Sequence, residues 1–199
     1  MKLIDLRSSP PGTLRRRLLP LIERPLEKAL ALSAVNQVYD AIVAREGDAN
    51  FFEKSLDVLD IAFSVADDDL AQIPTTGPLV VVANHPSGAI DGVMLGAILA
   101  RIRPDFRFLG NFLLERIPEM RPWLISVDPF GTETSPLANI RPLKQAIRWV
   151  RGGGALAIFP AGEVSHLHVR RRQITDPPWS RHVGALVRSA HATALPIFF

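Results

Sequence analysis

A chain of 199 residues, 47% hydrophobic and 22% charged, has the size and composition of one folded domain with a small appendage, which excludes a disordered chain. It contains no cysteine, so disulfides, zinc–thiolate sites and a cysteine nucleophile are excluded, and chemistry falls to His, Ser, Asp, Glu, Lys or Arg. Its formal net charge of +3 suits an anionic partner but does not separate lipid from nucleic acid.

The first stretch has no apolar run of secretory or membrane-spanning length, because Asp5, Arg7 and Arg15 to Arg17 interrupt it, so any membrane contact is expected to be peripheral. Arg15 to Ile22 reads either as an interfacial anchor or as a segment packed on the domain, with Pro20 interrupting any helix. Pro25 suits a first helical turn, and Leu30, Ala34, Val38 and Ile42 recur every four residues up to Gly47, which predicts an amphipathic helix. Asn50 and Glu53 have capping-box spacing and predict a second helix through about Leu59. Residues 1–60 are therefore expected to form an N-terminal helical segment, and residues 61–199 the main domain.

Ile61, Phe63 and Val65 alternate like a half-buried strand. Thr75 to Pro78 predicts a turn into a central strand over Leu79 to Val82. A helix is expected near Asp91 to Ile102, strands near Phe106 to Leu109 and Leu124 to Val127, and a helix near Pro142 to Val150 that Gly152 to Gly154 stop. A buried strand follows at Ala155 to Phe159, then a long functional loop from Pro160 to Trp179, a helix near His182 to His191 and a strand over Ala194 to Phe199. This alternation predicts an α/β fold, with a mixed, largely parallel sheet flanked by helices. The apolar ending, Leu195 to Phe199, predicts a fragment truncated at its C-terminus.

The strongest local signal is Asn84-His85-Pro86-Ser87-Gly88-Ala89-Ile90-Asp91-Gly92, placed directly after a buried strand and before an apolar helix. Ligands in open α/β sheets collect at the carboxyl ends of strands, so His85 and Asp91 stand where a site is built. A carboxylate that holds one imidazole nitrogen fixes the tautomer and leaves the other nitrogen free to take a proton from a hydroxyl. On a regular helix two side chains at this spacing point about 240° apart and sit roughly 9 Å apart along the axis. His85 must therefore lie in the loop, with Pro86 and Gly88 turning the chain and Asp91 near the helix start. Locally, Asp91 as a mere N-cap and His85 as a satisfied strand-end residue is an equally open reading.

The second signal is Phe159-Pro160-Ala161-Gly162-Glu163-Val164-Ser165, also directly after a buried strand and about 75 residues further on. Together the two blocks resemble those of the glycerolipid and lysophospholipid acyltransferase family (1-acylglycerol-3-phosphate acyltransferase-like). Its members carry a His-to-Asp block after one strand and an F-P-E-G-T-R-S-like block after another. Leu195 to Phe198 resembles the family's late apolar strand, so the likeness runs from about Ile61 to the end. Five residues between His and Asp, rather than four, resemble the branch described as hemolysin-like acyltransferases, which includes enzymes of ornithine-lipid synthesis.

The resemblance implies acyl transfer from acyl-CoA or acyl-carrier protein to a hydroxyl of a lyso-lipid, with no metal and no other cofactor. It implies His85 as general base and Asp91 as its orienting partner. Asn84, Ser87, Gly88, Phe159, Pro160, Ala161, Gly162 and Glu163 belong to the blocks that bind substrate. It also implies a peripheral protein on the cytoplasmic face of a membrane, and no nucleic-acid partner. Two departures change the expected acceptor. Where the family's second block commonly has an Arg for the acceptor phosphate, Trp123 to Gly131 has none, which speaks against glycerol 3-phosphate. Arg141 or Lys144 either supplies that cation or belongs to a solvated helix face. Ala161 stands where the family has Glu, and Glu163 either holds the acceptor or pairs with an arginine.

Arg170, Arg171 and Arg172, with Trp179, Arg181 and Arg188, either meet lipid headgroups or coenzyme A phosphates or form a solvated surface. His166 and His168 alternate on an extended segment but lack a third ligand. A hydrolase is disfavoured by the lack of any G-x-S-x-G turn around Ser87 or Ser165, and a nucleic-acid binder by arginines not interleaved with aromatics. A lipid-binding module without turnover is the remaining alternative, and the presence of both His85 and Asp91 speaks against it.

Overall fold

The computed structural model describes residues 32–128, 135–169 and 172–199. The Arg15 to Ile22 segment, the helix start at Pro25, Pro129 to Gly131, Arg170 and Arg171 lie outside the described residues. The chain divides into two compact units, Met1–Ile61 and Ala62–Phe199.

In the first unit, α1 (Leu32–Ala44) and α2 (Phe51–Val58) pack together. Tyr39 and Ile42 are buried on α1 at a spacing that puts both on one face. α2 starts as its capping box dictates. Asn50 Oδ1 accepts from the N–H groups of Phe52 and Glu53 at 3.0 and 3.1 Å, and Glu53 accepts from Asn50 N–H at 3.1 Å. No described helix is long and apolar enough to cross a membrane.

Residues 61–66, where alternation predicts a strand, form none, and Phe63 and Val65 are exposed. Alternating apolar residues become a strand only where a free sheet edge accepts their hydrogen bonds. A short helix follows instead, α3 (Asp67–Ala71), whose first turn holds Asp67, Asp68 and Asp69 against the positive end of the helix dipole.

Five strands then build one parallel sheet: β1 (Leu79–Ala83), β2 (Phe106–Asn111), β3 (Leu124–Val127), β4 (Ala155–Ile158) and β7 (Thr193–Ile197), in the order β3-β2-β4-β1-β7. β1 lies between β4 and β7, with Leu79 opposite both Ala155 and Thr193. Central parallel strands are covered on both faces and so read as unbroken apolar runs. Leu79, Val80, Val81, Ala155, Leu156 and Ala157 are accordingly fully buried.

Helix α4 (Ala89–Ile102) joins β1 to β2 and buries Leu95, Ala97 and Leu99. α5 (Ser135–Arg151) and α6 (Arg181–Ala190) supply Ala146, Val150, Leu186 and Ala190 to a core shared with Val80, Leu156 and Ile158 of the sheet. α5 begins seven residues before Pro142, which sits inside it. An internal proline removes one helical hydrogen bond at a cost of about 3 kcal/mol. Packing of α5 on β3 and β4 offsets that loss, as does Asn139, whose side chain bonds both the N–H and the carbonyl of Asp128 at 2.8 Å. Between β4 and α6, in the segment expected as a loop, β5 (His166–His168) and β6 (Gln173–Thr175) pair as an antiparallel hairpin.

At the amino-terminal edge of the sheet, Arg103 is buried and ties three segments together. It makes a two-pronged pair with Asp105, both bonds 2.8 Å, and donates to the carbonyls of Pro74 (3.1 Å), Gly77 (3.0 Å) and Gly153 (2.8 Å). The Arg103 hydrogen bonds hold the Asp105 carboxyl below the usual carboxylate range despite partial burial.

Candidate active site

Parallel pairing explains how two blocks far apart in sequence meet. Val82 of β1 lies opposite Ile158 of β4, so the residues after each strand, Asn84-His85 and Phe159-Pro160, emerge side by side at the carboxyl edge. The imidazole of His85 stacks on Phe159, with ring centroids 4.0 Å apart and planes 21° apart. Phe108 of β2 continues the stack, 6.5 Å from Phe159. His85 keeps 18% of its side chain exposed.

The turn that follows is set by Gly88, at φ 67° and ψ −127°, a conformation that side chains rarely adopt. It closes directly onto α4, so Asp91 is the third residue of the helix and points back into the turn. The Asp91 side chain is wholly buried. Its Oδ2 accepts from Ser87 N–H at 2.8 Å and lies 3.0 Å from His85 Nδ1. With the carboxylate ionised, which only accepts, this contact puts a proton on Nδ1, and in the neutral ring Nε2 then carries the lone pair. Among the described residues Nε2 has no hydrogen bond, and neither does Asp91 Oδ1.

A second carboxylate, Asp176, holds His85 from the other side. Its Oδ1 accepts from His85 N–H at 3.1 Å and from Ser165 Oγ at 2.5 Å, and its Oδ2 from Trp179 Nε1 at 2.8 Å. Ser165 N–H in turn donates to the His85 carbonyl at 2.9 Å. Burial pushes the Asp176 carboxyl up, but the hydrogen bonds from Ser165, the His85 backbone and Trp179 together hold it below its ordinary value of 3.8. Asp176 was not singled out from sequence, since it lies in a stretch without periodicity, and only the return of the hairpin brings it to His85.

The other expected residues separate into groups. Asn84 has its amide bound at both ends to the backbone of Phe199, donating to the carbonyl at 3.2 Å and accepting from the N–H at 2.8 Å, so it pins the end of β7. Ser87 reaches the site through its backbone N–H. Phe159 is in contact with the imidazole, while Pro160 is buried and its carbonyl accepts from Ser180 N–H at 3.0 Å. Ala161 is half-buried, and Gly162, at φ 75°, turns the chain with its N–H on the Phe159 carbonyl at 3.0 Å. Glu163 is exposed and pairs with His166 Nε2 at 3.3 Å, a histidine where an arginine was the alternative. Arg141 is exposed on α5, two positions and about 200° of helix turn from Asn139, which faces the end of β3. No hydrogen bond or ion pair joins Arg141 to the His85 cluster among the described residues. His166 and His168 share one face of the hairpin, and the described residues contain no group of three metal-ligating side chains.

A family model described as Acyltransferase matches residues 64–199. Two curated relatives are similar to the chain, both named lyso-glycine lipid O-acyltransferase. The one from Phocaeicola vulgatus is 28% identical over an alignment of 158 positions that covers 75% of this chain and 51% of that protein. The one from Bacteroides thetaiotaomicron is 26% identical over an alignment of 154 positions that covers 75% of this chain and 52% of that protein. The chain thus spans about half the length of the curated relatives it matches.

Proposed function

The chain belongs to the acyltransferase family, and from that premise we propose that it transfers a fatty acyl group from a thioester, acyl-CoA or acyl-carrier protein, to a hydroxyl of a lyso-lipid. The observation that carries this reading is the 3.0 Å contact between His85 Nδ1 and Asp91 Oδ2, at the carboxyl edge of the sheet and with Nε2 unclaimed by any described residue. Nε2 takes the proton of the acceptor hydroxyl as its oxygen bonds to the thioester carbonyl carbon. Asp91 stabilises the imidazolium that forms. When the C–S bond breaks, the proton passes from Nε2 to the departing thiolate, and no acyl-enzyme is needed. To N–H groups near Gly88 or at the start of α4 we assign stabilisation of the carbonyl oxygen as it gains charge. The relatives' names support a lyso-lipid acceptor, and the missing Arg in the sequence from Trp123 to Gly131 supports one without a glycerol phosphate. For such an acceptor the proposed location is a membrane surface, peripherally and on the cytoplasmic face.

The test is incubation with mixed lyso-lipids and labelled acyl-CoA or acyl-carrier protein, with products identified by mass. His85→Ala is expected to lower transfer about 10²- to 10⁴-fold while the far-ultraviolet spectrum stays that of the parent. Unchanged transfer removes His85 from the chemistry, and thioester release as fast without acceptor as with it replaces transfer by hydrolysis.

A further inference from the structure

The β5–β6 hairpin has an unusual surface. Cross-strand pairing sets Leu167 opposite Ile174, and alternation puts His166, His168, Gln173 and Thr175 on the other face. The apolar face is bare: Leu167 is 65% exposed, Ile174 62%, and Val169, next in the same alternation, 77%. A two-stranded ribbon is marginal in water by itself, and a contiguous exposed apolar face marks a contact surface. From Ser165 to Thr175 the sequence has no acidic residue, and Arg172 is exposed at the turn.

The hairpin is also fastened to the catalytic loop. Its incoming foot is Ser165, bonded to the His85 carbonyl, and its outgoing foot is Asp176, bonded to the His85 N–H. Other exposed apolar side chains stand around the same edge. Ile90 lies in the first turn of α4, Val164 beside Gly88 and Trp179 on Asp176. Apolar side chains with a cation beside them and an indole at the rim match a bilayer interface, where acyl chains meet anionic headgroups.

We infer that the β5–β6 hairpin is an interfacial wing: Leu167, Val169 and Ile174 enter the acyl layer of an anionic membrane, Arg172 meets its headgroups, and the clamp at Ser165 and Asp176 thereby sets His85 at the headgroup plane. This rests on the reading that the acceptor is a lipid, and it names the surface that delivers the site to it. Rigid fastening matters because a base on a fixed sheet edge reaches a hydroxyl in the headgroup layer only if the protein is held at one depth and tilt.

The test uses the 199-residue chain with vesicles of phosphatidylcholine alone and with phosphatidylglycerol added, read by co-sedimentation. The double substitution Leu167→Thr and Ile174→Thr keeps strand-forming residues on an exposed face and is expected to weaken binding by at least about tenfold. Its rate on a water-soluble short-chain lyso-lipid should stay that of the parent. Arg172→Gln is expected to weaken binding to the phosphatidylglycerol vesicles and to leave binding to phosphatidylcholine alone unchanged. Parent-like sedimentation of the double variant overturns the inference, as does a parent that stays in the supernatant with every vesicle. Self-association of the parent that the double variant loses, with vesicle binding unaffected, assigns this face to a second copy and also overturns it. If vesicle binding falls as expected but no acceptor is acylated, the wing stands and the acyl-transfer reading fails.

Discussion

Asp91 and Asp176 hold His85 from two directions and act on different atoms. Asp91 meets the ring at Nδ1 and governs its proton, whereas Asp176 meets the backbone N–H and governs where the ring stands. Asp91→Asn keeps the size of the side chain but removes the negative charge facing the imidazolium. Acyl transfer is expected to fall about 10²- to 10⁴-fold with the folding transition little changed; equal kcat in the two proteins would contradict the pairing. Asp176 makes a different prediction. Because its folded-state carboxyl titrates below its ordinary value of 3.8, its contribution is fully present above that value and is lost as pH falls through the lowered one. Emission from Trp179, whose indole N–H bonds Asp176, is expected to change only in acid below about pH 4. The step should vanish in Asp176→Asn, and a step centred near neutrality would contradict the clamp.

Among the elements, the turn into α4 decides whether the pair can form. Gly88 holds a backbone conformation that other residues rarely adopt, although a Cβ built there would meet only Val164 Cγ2 at an ordinary 3.5 Å. The cost of Gly88→Ala is therefore conformational, about 1–3 kcal/mol of stability, read as a lower urea midpoint at constant m. An unchanged midpoint would mean that the turn has another solution. That Pro86 and Gly88 form a turn was legible in the sequence because their backbone preferences are local. The start of α5 was not. Pro142 by itself signals a first turn, and only contact with β3 and the Asn139 bonds to Asp128 carry the helix through it. The hairpin was hidden for a related reason, since strands of three residues are too short to show a period.

For the whole molecule, the two edges of the sheet have separate duties. The carboxyl edge carries His85, and the amino-terminal edge is closed by Arg103, buried and bonded to Asp105 and three backbone carbonyls. Arg103→Met is expected to cost about 3 kcal/mol, because it leaves those carbonyls unpaired, while kcat at low temperature stays near that of the parent. A large fall in kcat with stability intact would show that the edges are coupled. The sequence by itself determined the α/β alternation, the capping box of α2, the buried runs of β1 and β4 and the two blocks that follow them, because each depends on residues close together in the chain. Tertiary structure alone decided that Phe159 stacks on His85, that Asp176 returns to its backbone, that Asn84 is bound by Phe199, and that Ile61 to Val65 finds no strand to pair with. These depend on strand order and register, which arise from the packing of distant segments and leave no local period to read.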